Sequence, residues 1–394
     1  MTLDSLKQSL HEHLAWWGLK RITSDYEYFA WQRRQLSPAD LSDLNRQAEL
    51  KRSGNSRDEI AFYDLAARSV ILPVLHSQRY DYYDAVGVSV ASRLGGATRV
   101  LDFGCGAGIL TTFYARRFPD QEFIAVDRSP ASVVVAQQKA NELGLANVRF
   151  DCLDVECEPL QGSFDLVVAT HALVQAEQDP GIPSENWRTF GRACDAGRQT
   201  DFERRTGIGA RLDRLSTALN LQGRMVVCEK VRQLARRVPF QRALAGRGLQ
   251  LVEPSEPIRY QLIEETADDG LLYVLQKGSG SILAWNELPE TDDGRAFDRN
   301  AVGAALTDPD GPLYENHSPS AQTAWEGLKD RAVTQEMTRQ QLDGRQVHVE
   351  LGTAEGIRYL YCANTFDQRQ LVIVEPIRAA MLEDYYREII GGLP

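Results

Sequence analysis

This 394-residue chain predicts an α/β fold. A seven-stranded, mainly parallel sheet is expected, with a helical extension before it and an α+β domain after it. Three observations carry that reading. Between residues 98 and 276, short apolar runs alternate with helical-period segments, the pattern of a parallel sheet covered on both faces. Before them, apolar residues recur at three- and four-residue intervals, as in Leu3, Leu6, Leu10 and Leu14. After them, strand-like runs lie between helical ones. A chain of this length accommodates two or three domains. We place them at 1–59, a helical cap or lid; 60–280, the sheet domain; and 281–394, an accessory domain.

Residues 2–19 and 24–52 read as helices, with Ser37-Pro38 as a helix start in which serine caps and proline fills the first turn. The polar stretch 51–59 reads as a linker. Residues 60–75 read as a helix that Pro73 disturbs, and 82–94 as one that stops at Gly95-Gly96. Strands are expected at 98–103, 122–126, 148–151, 164–170, 224–228, 249–252 and 271–276, with helices at 109–117 and 130–143. Gly278-Ser279-Gly280 marks the second boundary, and an acidic, turn-rich stretch over 287–312 follows. Beyond it we expect a helix over 319–341, strands at 345–351, 357–362 and 370–374, and a final helix over 376–390. The turn Thr353–Gly356 joins the first two of these strands as a hairpin.

Composition narrows the function. Hydrophobic residues make up 43% and charged residues 25%, the profile of a globular chain that needs no metal or disulfide staples. No apolar run reaches the roughly 18–20 residues of a membrane span. The amphipathic N-terminus lacks the pattern of a secretory signal, so a cytoplasmic protein is expected. The net charge of −11 argues against general nucleic-acid binding, which needs a basic surface. The six cysteines form no CxxC pair and read as reduced core thiols. No metal site is expected.

The segment that carries chemistry is Val100-Leu-Asp102-Phe-Gly104-Cys-Gly106-Ala-Gly108. An apolar strand runs into a glycine turn that opens a helix, where the backbone can bend sharply and present free N–H groups. Dinucleotide enzymes want G-x-G-x-x-G, yet Ile109 stands where the third glycine would be. An acid beside the loop suits a cation and would repel a diphosphate.

This G-x-G-x-G loop, with Asp102 two residues before it, resembles the first motif of the class I S-adenosylmethionine (SAM)-dependent methyltransferases. The resemblance covers roughly 60–280 and implies their Rossmann-like sheet, with SAM as cofactor held by Asp102, Gly104, Gly106 and Gly108. Asp127 matches the acid that accepts from the ribose hydroxyls. Asp154, with Asp151 as the alternative, matches the residue against the adenine amino group. Residues 164–171 and 221–227 resemble the family's fourth and fifth strands, although Gln222 stands where many members have proline or glycine. Tyr80, in the segment Gln78–Tyr83, is the expected aromatic contact to the cofactor; helix packing is the other reading of these tyrosines.

In an open α/β sheet the ligand lies beyond the carboxyl ends of the strands. Thr170 and His171 follow strand four and so face the reacting centre. His171 is a candidate general base, with a histidine that merely orients the loop as the alternative. Glu229, after strand five, is a second catalytic candidate. The run 224–247 holds seven basic residues against one acid, so it is either a solvated helix face or, through Lys230 or Arg232, a reader of an anionic substrate. The aromatics Trp16, Trp17, Tyr26, Tyr28, Phe29 and Trp31 are either lid, core or dimer contacts.

The resemblance implies a methyltransferase acting on a small-molecule metabolite, by in-line transfer to an O, N or C nucleophile. An anionic substrate group and a homodimer are among the expected partners, and nucleic acid and membrane are not. Two alternatives stay open. One is use of SAM without methyl transfer, by aminocarboxypropyl transfer or cyclisation releasing methylthioadenosine. The other is a protein target.

Overall fold

A computed structural model describes residues 3–52, 55–175, 179–278, 283–290, 314–341 and 344–392. The chain divides into two compact units: 1–179, 199–232 and 240–285 form the first, and 180–198, 233–239 and 286–394 the second. The stretch 279–280 and most of the acidic stretch 287–312 lie outside the described residues.

In the first unit, β1 (Arg99–Phe103), β2 (Glu122–Asp127), β3 (Val148–Cys152), β4 (Phe164–Thr170) and β5 (Leu219–Cys228) are parallel. They continue through β8 (Glu265–Lys277), antiparallel to β5, to β6 (Leu249–Leu251), in the order β3-β2-β1-β4-β5-β8-β6. These seven are the expected strands. An eighth, β7 (Glu256–Leu262), pairs with β8 as a hairpin that the sequence reading missed. Its two-residue turn holds Ile263 at φ 62, where a β-branched residue is an outlier. Burial of Ile263 among Tyr28, Trp31 and Val74 offsets that strain. No glycine or asparagine announces the turn.

Helices α7 (Ile109–Arg117) and α8 (Pro130–Glu142) link β1 to β2 and β2 to β3, while α9 (Ala196–Thr206), which begins in the second unit's part of the chain, α10 (Ile208–Ala218) and α11 (Leu234–Ala245) fall later in the chain. The N-terminal helices are α1 (Leu3–Trp16), α2 (Asp25–Gln35), α3 (Pro38–Lys51), α4 (Ser56–Ala66), α5 (Leu72–Ser77) and α6 (Tyr80–Ala91). The expected helix over 24–52 is thus two helices, divided where Ser37 accepts the Asp40 N–H in a capping box. Part of the expected linker is helical: Asn55 Oδ1 accepts from Arg57 N and starts α4, so a boundary at residue 59 falls within a helix. The leucine stripe of α1 (Leu6, Leu10, Leu14) enters the same core as Val86, Phe113 and Phe123. Trp17, Tyr28 and Trp31 are buried, whereas Tyr26 and Phe29 are exposed.

The second unit holds a five-stranded antiparallel sheet, ordered β10-β11-β12-β13-β9. Its strands are β9 (Tyr314–His317), β10 (Ala332–Gln340), β11 (Gln346–Ala354), β12 (Ile357–Asn364) and β13 (Arg369–Val374). A helix at Ser318–Gly327 packs Trp325 against Tyr359 and Tyr361 on one face, and a helix at Ala379–Gly392 packs Leu382 and Tyr386 against Val349 and Leu360 on the other. The hairpin at Glu355-Gly356 is as expected, with both residues at positive φ. The helix expected over 319–341 is corrected. It stops at Gly327, and Ala332–Gln340 is a strand paired to β11, its β-branched Val333, Thr334 and Thr338 favouring the pleat.

Candidate cofactor and acceptor site

A cleft partly open to solvent lies at the carboxyl ends of β1, β2 and β4. The glycine turn forms its floor. Gly104 sits at φ 74, and a Cβ there would stand 2.3 Å from the Ala172 Cβ. At Gly108, the N-cap of α7, it would meet Ala136 at 2.8 Å. At Gly106 a Cβ would meet no protein atom within 4 Å; this backbone faces open cleft.

Two carboxylates flank the turn. Asp102 is buried on β1, and its Oδ2 accepts from the Thr111 hydroxyl at 2.5 Å. Burial pushes it up to about 6, against that hydrogen bond. Asp127 ends β2; its Oδ2 accepts from Gly106 N at 2.9 Å and its Oδ1 from Ser129 N at 2.8 Å. Burial raises it too, opposed by those two N–H groups. Each oxygen keeps a lone pair for a ligand hydroxyl. Arg128, the nearest lining cation in sequence, is spent on Glu59 of α4 at 2.7 Å. Tyr114 also lines the cleft, and its buried hydroxyl has no hydrogen-bond partner among the described residues.

Thr170 and His171 lie at the far end of the cleft, after β4. His171 is at φ 55 and stacks on Tyr82 with ring centroids 4.7 Å apart. Its Nδ1 is 2.6 Å from Arg79 Nη2, and its Nε2 is 3.0 Å from Asp269 Oδ2. A guanidinium can only donate. Nδ1 therefore accepts and the ring proton sits on Nε2, which is near Asp269 but makes no hydrogen bond of good geometry among the described residues. Burial, above all, pushes His171 down to about 4, so the ring is neutral near pH 7. With its lone pair taken, His171 is not placed to act as a general base. It positions Arg79.

Other expected residues are also placed differently. Glu229 does not line the cleft: its buried Oε1 accepts from Ala172 N at 2.7 Å and Leu173 N at 2.6 Å, fixing the loop after β4. Burial pushes it up to about 7. Asp154 is turned into its own loop, where Oδ1 accepts from Glu156 N at 3.0 Å, and Asp151 pairs with Arg149 at 2.9 Å. Of this segment Leu153 reaches the cleft. Tyr80 faces away, its ring 5.9 Å from that of His11. Tyr82 and Tyr83 line the cleft instead, together with His76 and Arg79. The α5–α6 junction gathers these four at three- and four-residue spacing, which places them on one side. Arg232 pairs with Asp268 at 3.3 Å, and neither it nor Lys230 lines the cleft. The sequence reading passed over Arg79, although it stands within the tyrosine segment already singled out; an arginine among aromatics at a helix junction was the available signal.

No disulfide joins the cysteines; Cys228 is buried, but Cys152, Cys157 and Cys194 are exposed rather than core thiols. In the second unit Glu336, His348 and Glu350 each bring a ligand atom within 4.8 Å of the others. Glu350 Oε1 is occupied by Trp325 Nε1 at 3.0 Å and the Tyr359 hydroxyl at 2.5 Å, and we assign no metal there.

The family model described as "Methyltransferase domain" matches residues 94–243, which include the glycine turn, Asp127 and the end of β4. This segment is similar to methyltransferase domains. The chain is 33% identical over 102 residues to a malonyl-[acyl-carrier protein] O-methyltransferase of Acetivibrio thermocellus, covering 24% of this chain and 35% of that protein. A trans-aconitate 2-methyltransferase of Deinococcus radiodurans is 35% identical over 89 residues, 23% of this chain and 32% of its own. A release factor glutamine methyltransferase of Escherichia coli is 35% identical over 84 residues, 21% of this chain and 30% of its own. The chain thus spans about a third of the length of each relative. Among the described residues, no helix is long and apolar enough to cross a membrane.

Proposed function

We propose that this chain is a SAM-dependent methyltransferase whose acceptor is a small molecule bearing an anionic group. The observation that carries the reading is the glycine turn, flanked by Asp102 and Asp127, opening on a cleft that runs past the end of β4 to Arg79. The donor set suits a cationic cofactor, because the lining cation beside it, Arg128, is already paired with Glu59. The bare backbone at Gly106 is the surface such a ligand would cover. Bound SAM supplies an electrophilic methyl group. Asp127 would accept from the ribose hydroxyls, Asp102 would favour the cationic end, and Leu153 would border the adenine. Thr170 and Tyr82 border the acceptor side, where the tyrosine hydroxyl interacts with Thr170. A nucleophile that is already deprotonated or neutral with a lone pair needs no base from this site. Holding it close and in line then supplies most of the acceleration.

The similar proteins support a range of acceptors, by their names an acyl-carrier conjugate, trans-aconitate and a protein. The small acceptor is favoured by the way α4 covers the cleft through Glu59, Ile60 and Tyr63. Calorimetric titration with S-adenosylhomocysteine tests the cofactor assignment. One site per chain is expected; absence of binding would contradict it.

A further inference from the structure

We infer that the acceptor is a small carboxylate and that Arg79 recognises its charge, an inference that rests on the methyltransferase reading. Three arginines line the cleft. Arg128 is paired with Glu59 at 2.7 Å and Arg211 with Glu156 at 2.8 Å. Among the described residues no carboxylate comes within ion-pair distance of Arg79. Its neighbours are the His171 ring nitrogen at 2.6 Å, the Tyr260 hydroxyl, and the face of Tyr82, 4.3 Å from the guanidinium carbon.

A half-buried guanidinium with no carboxylate beside it is suited to pairing with an anion. Here the surroundings hold the guanidinium in place without neutralising it. Asp269, the nearest acid in the network, lies one imidazole away. Its Oδ2 is 3.0 Å from His171 Nε2 and accepts from the Tyr260 hydroxyl at 2.6 Å. Arg79 is therefore held by a neutral ring and lines the cleft. The position suits an acceptor anchor, since His171 directly follows β4 and the cofactor's acids lie at the other side, on β1 and β2.

The chemistry favours a carboxylate over a phosphate. A single planar guanidinium matches one carboxylate with two parallel hydrogen bonds. Asp102, Asp127 and Glu59 line the same cleft, and their charge disfavours a dianion. The walls beside Arg79 are the rings of Tyr63, Tyr82, Tyr83 and His76, which suit a small planar or short-chain body.

The test is calorimetry on the full chain saturated with S-adenosylhomocysteine, using benzoate and butyrate as probes, benzamide and butyramide as neutral counterparts, and inorganic phosphate. At least one carboxylate should bind, with its amide at least twentyfold weaker and phosphate weaker still. Arg79→Gln should abolish that binding while S-adenosylhomocysteine affinity stays within twofold of wild type. Arg79→Lys, which keeps the charge without the fork, should retain weakened carboxylate binding, so loss in the glutamine variant cannot be ascribed to misfolding. The inference is overturned if neither carboxylate binds, if amides or phosphate bind as well, or if Arg79→Gln leaves carboxylate binding intact. Failure of the wild type to bind S-adenosylhomocysteine would instead overturn the methyltransferase reading.

Discussion

Gly106 donates its backbone N–H to Asp127 Oδ2 at 2.9 Å, tying the glycine turn after β1 to the end of β2. The bond fixes the turn's bare backbone and the carboxylate against the same wall of the cleft, so one residue both shapes the floor and offers lone pairs to a ligand. That dual duty makes Asp127 the most informative position for a first substitution.

Asp127→Asn keeps the volume and removes the charge. S-adenosylhomocysteine affinity should fall by about 1.5–3 kcal/mol, the range for a charge-assisted hydrogen bond, in a calorimetric titration. Unchanged affinity would remove the ribose assignment.

Gly104 and Gly106 should respond to alanine in opposite ways. At Gly104 the added Cβ lies 2.3 Å from the Ala172 Cβ at a positive φ, so Gly104→Ala should cost about 2–4 kcal/mol of stability. At Gly106 nothing obstructs the methyl, so Gly106→Ala should cost about 1 kcal/mol for its φ. Its cofactor affinity should nevertheless fall at least about tenfold, since the methyl occupies ligand space. Thermal melts and calorimetry on the pair separate the two effects; equal melting temperatures would contradict the packing argument.

Asp102 makes cofactor affinity pH-dependent. Burial pushes it up to about 6, and a proton on it removes the charge that favours a cation. Affinity should therefore rise about tenfold between pH 5 and pH 7 and level off above, one proton being released. In Asp102→Asn the profile should be flat. A rise that persists in the variant would assign it elsewhere.

Glu229 makes stability pH-dependent with the opposite sign from an ordinary paired carboxylate. Its folded value, about 7, lies above the 4.5 of the free side chain, so the folded chain holds the extra proton in between. The contribution is fully present below 4.5 and lost as pH rises through 7, on the order of 3 kcal/mol as an upper bound. Between pH 5 and pH 8 the urea midpoint of wild type should fall relative to Glu229→Gln, which lacks the proton. Parallel midpoints would show that Glu229 is ionised throughout.

Much of this was legible in the sequence, because the sheet's strands are apolar runs with clear breaks and the glycine turn is local. Asp102, Asp127 and Thr170 reach the cleft because their positions follow from strand ends alone. The misplaced residues depend on tertiary context. Tyr80 and Tyr82 are indistinguishable until the α5–α6 junction orients them, and Glu229 faces inward because two backbone N–H groups of a distant loop meet it. The β7–β8 hairpin was hidden because burial holds Ile263 in a turn that local preference would refuse. The strand at Ala332–Gln340 read as helix because, exposed on most of its length, it shows no apolar alternation.

The most direct measurement is mass spectrometry after incubating the purified chain with SAM carrying a deuterated methyl group and an extract of its source cells. The account predicts a small metabolite that gains the labelled methyl, with S-adenosylhomocysteine formed in equal amount. Methylthioadenosine above a no-enzyme control without a labelled acceptor, or label confined to the protein fraction, would contradict it.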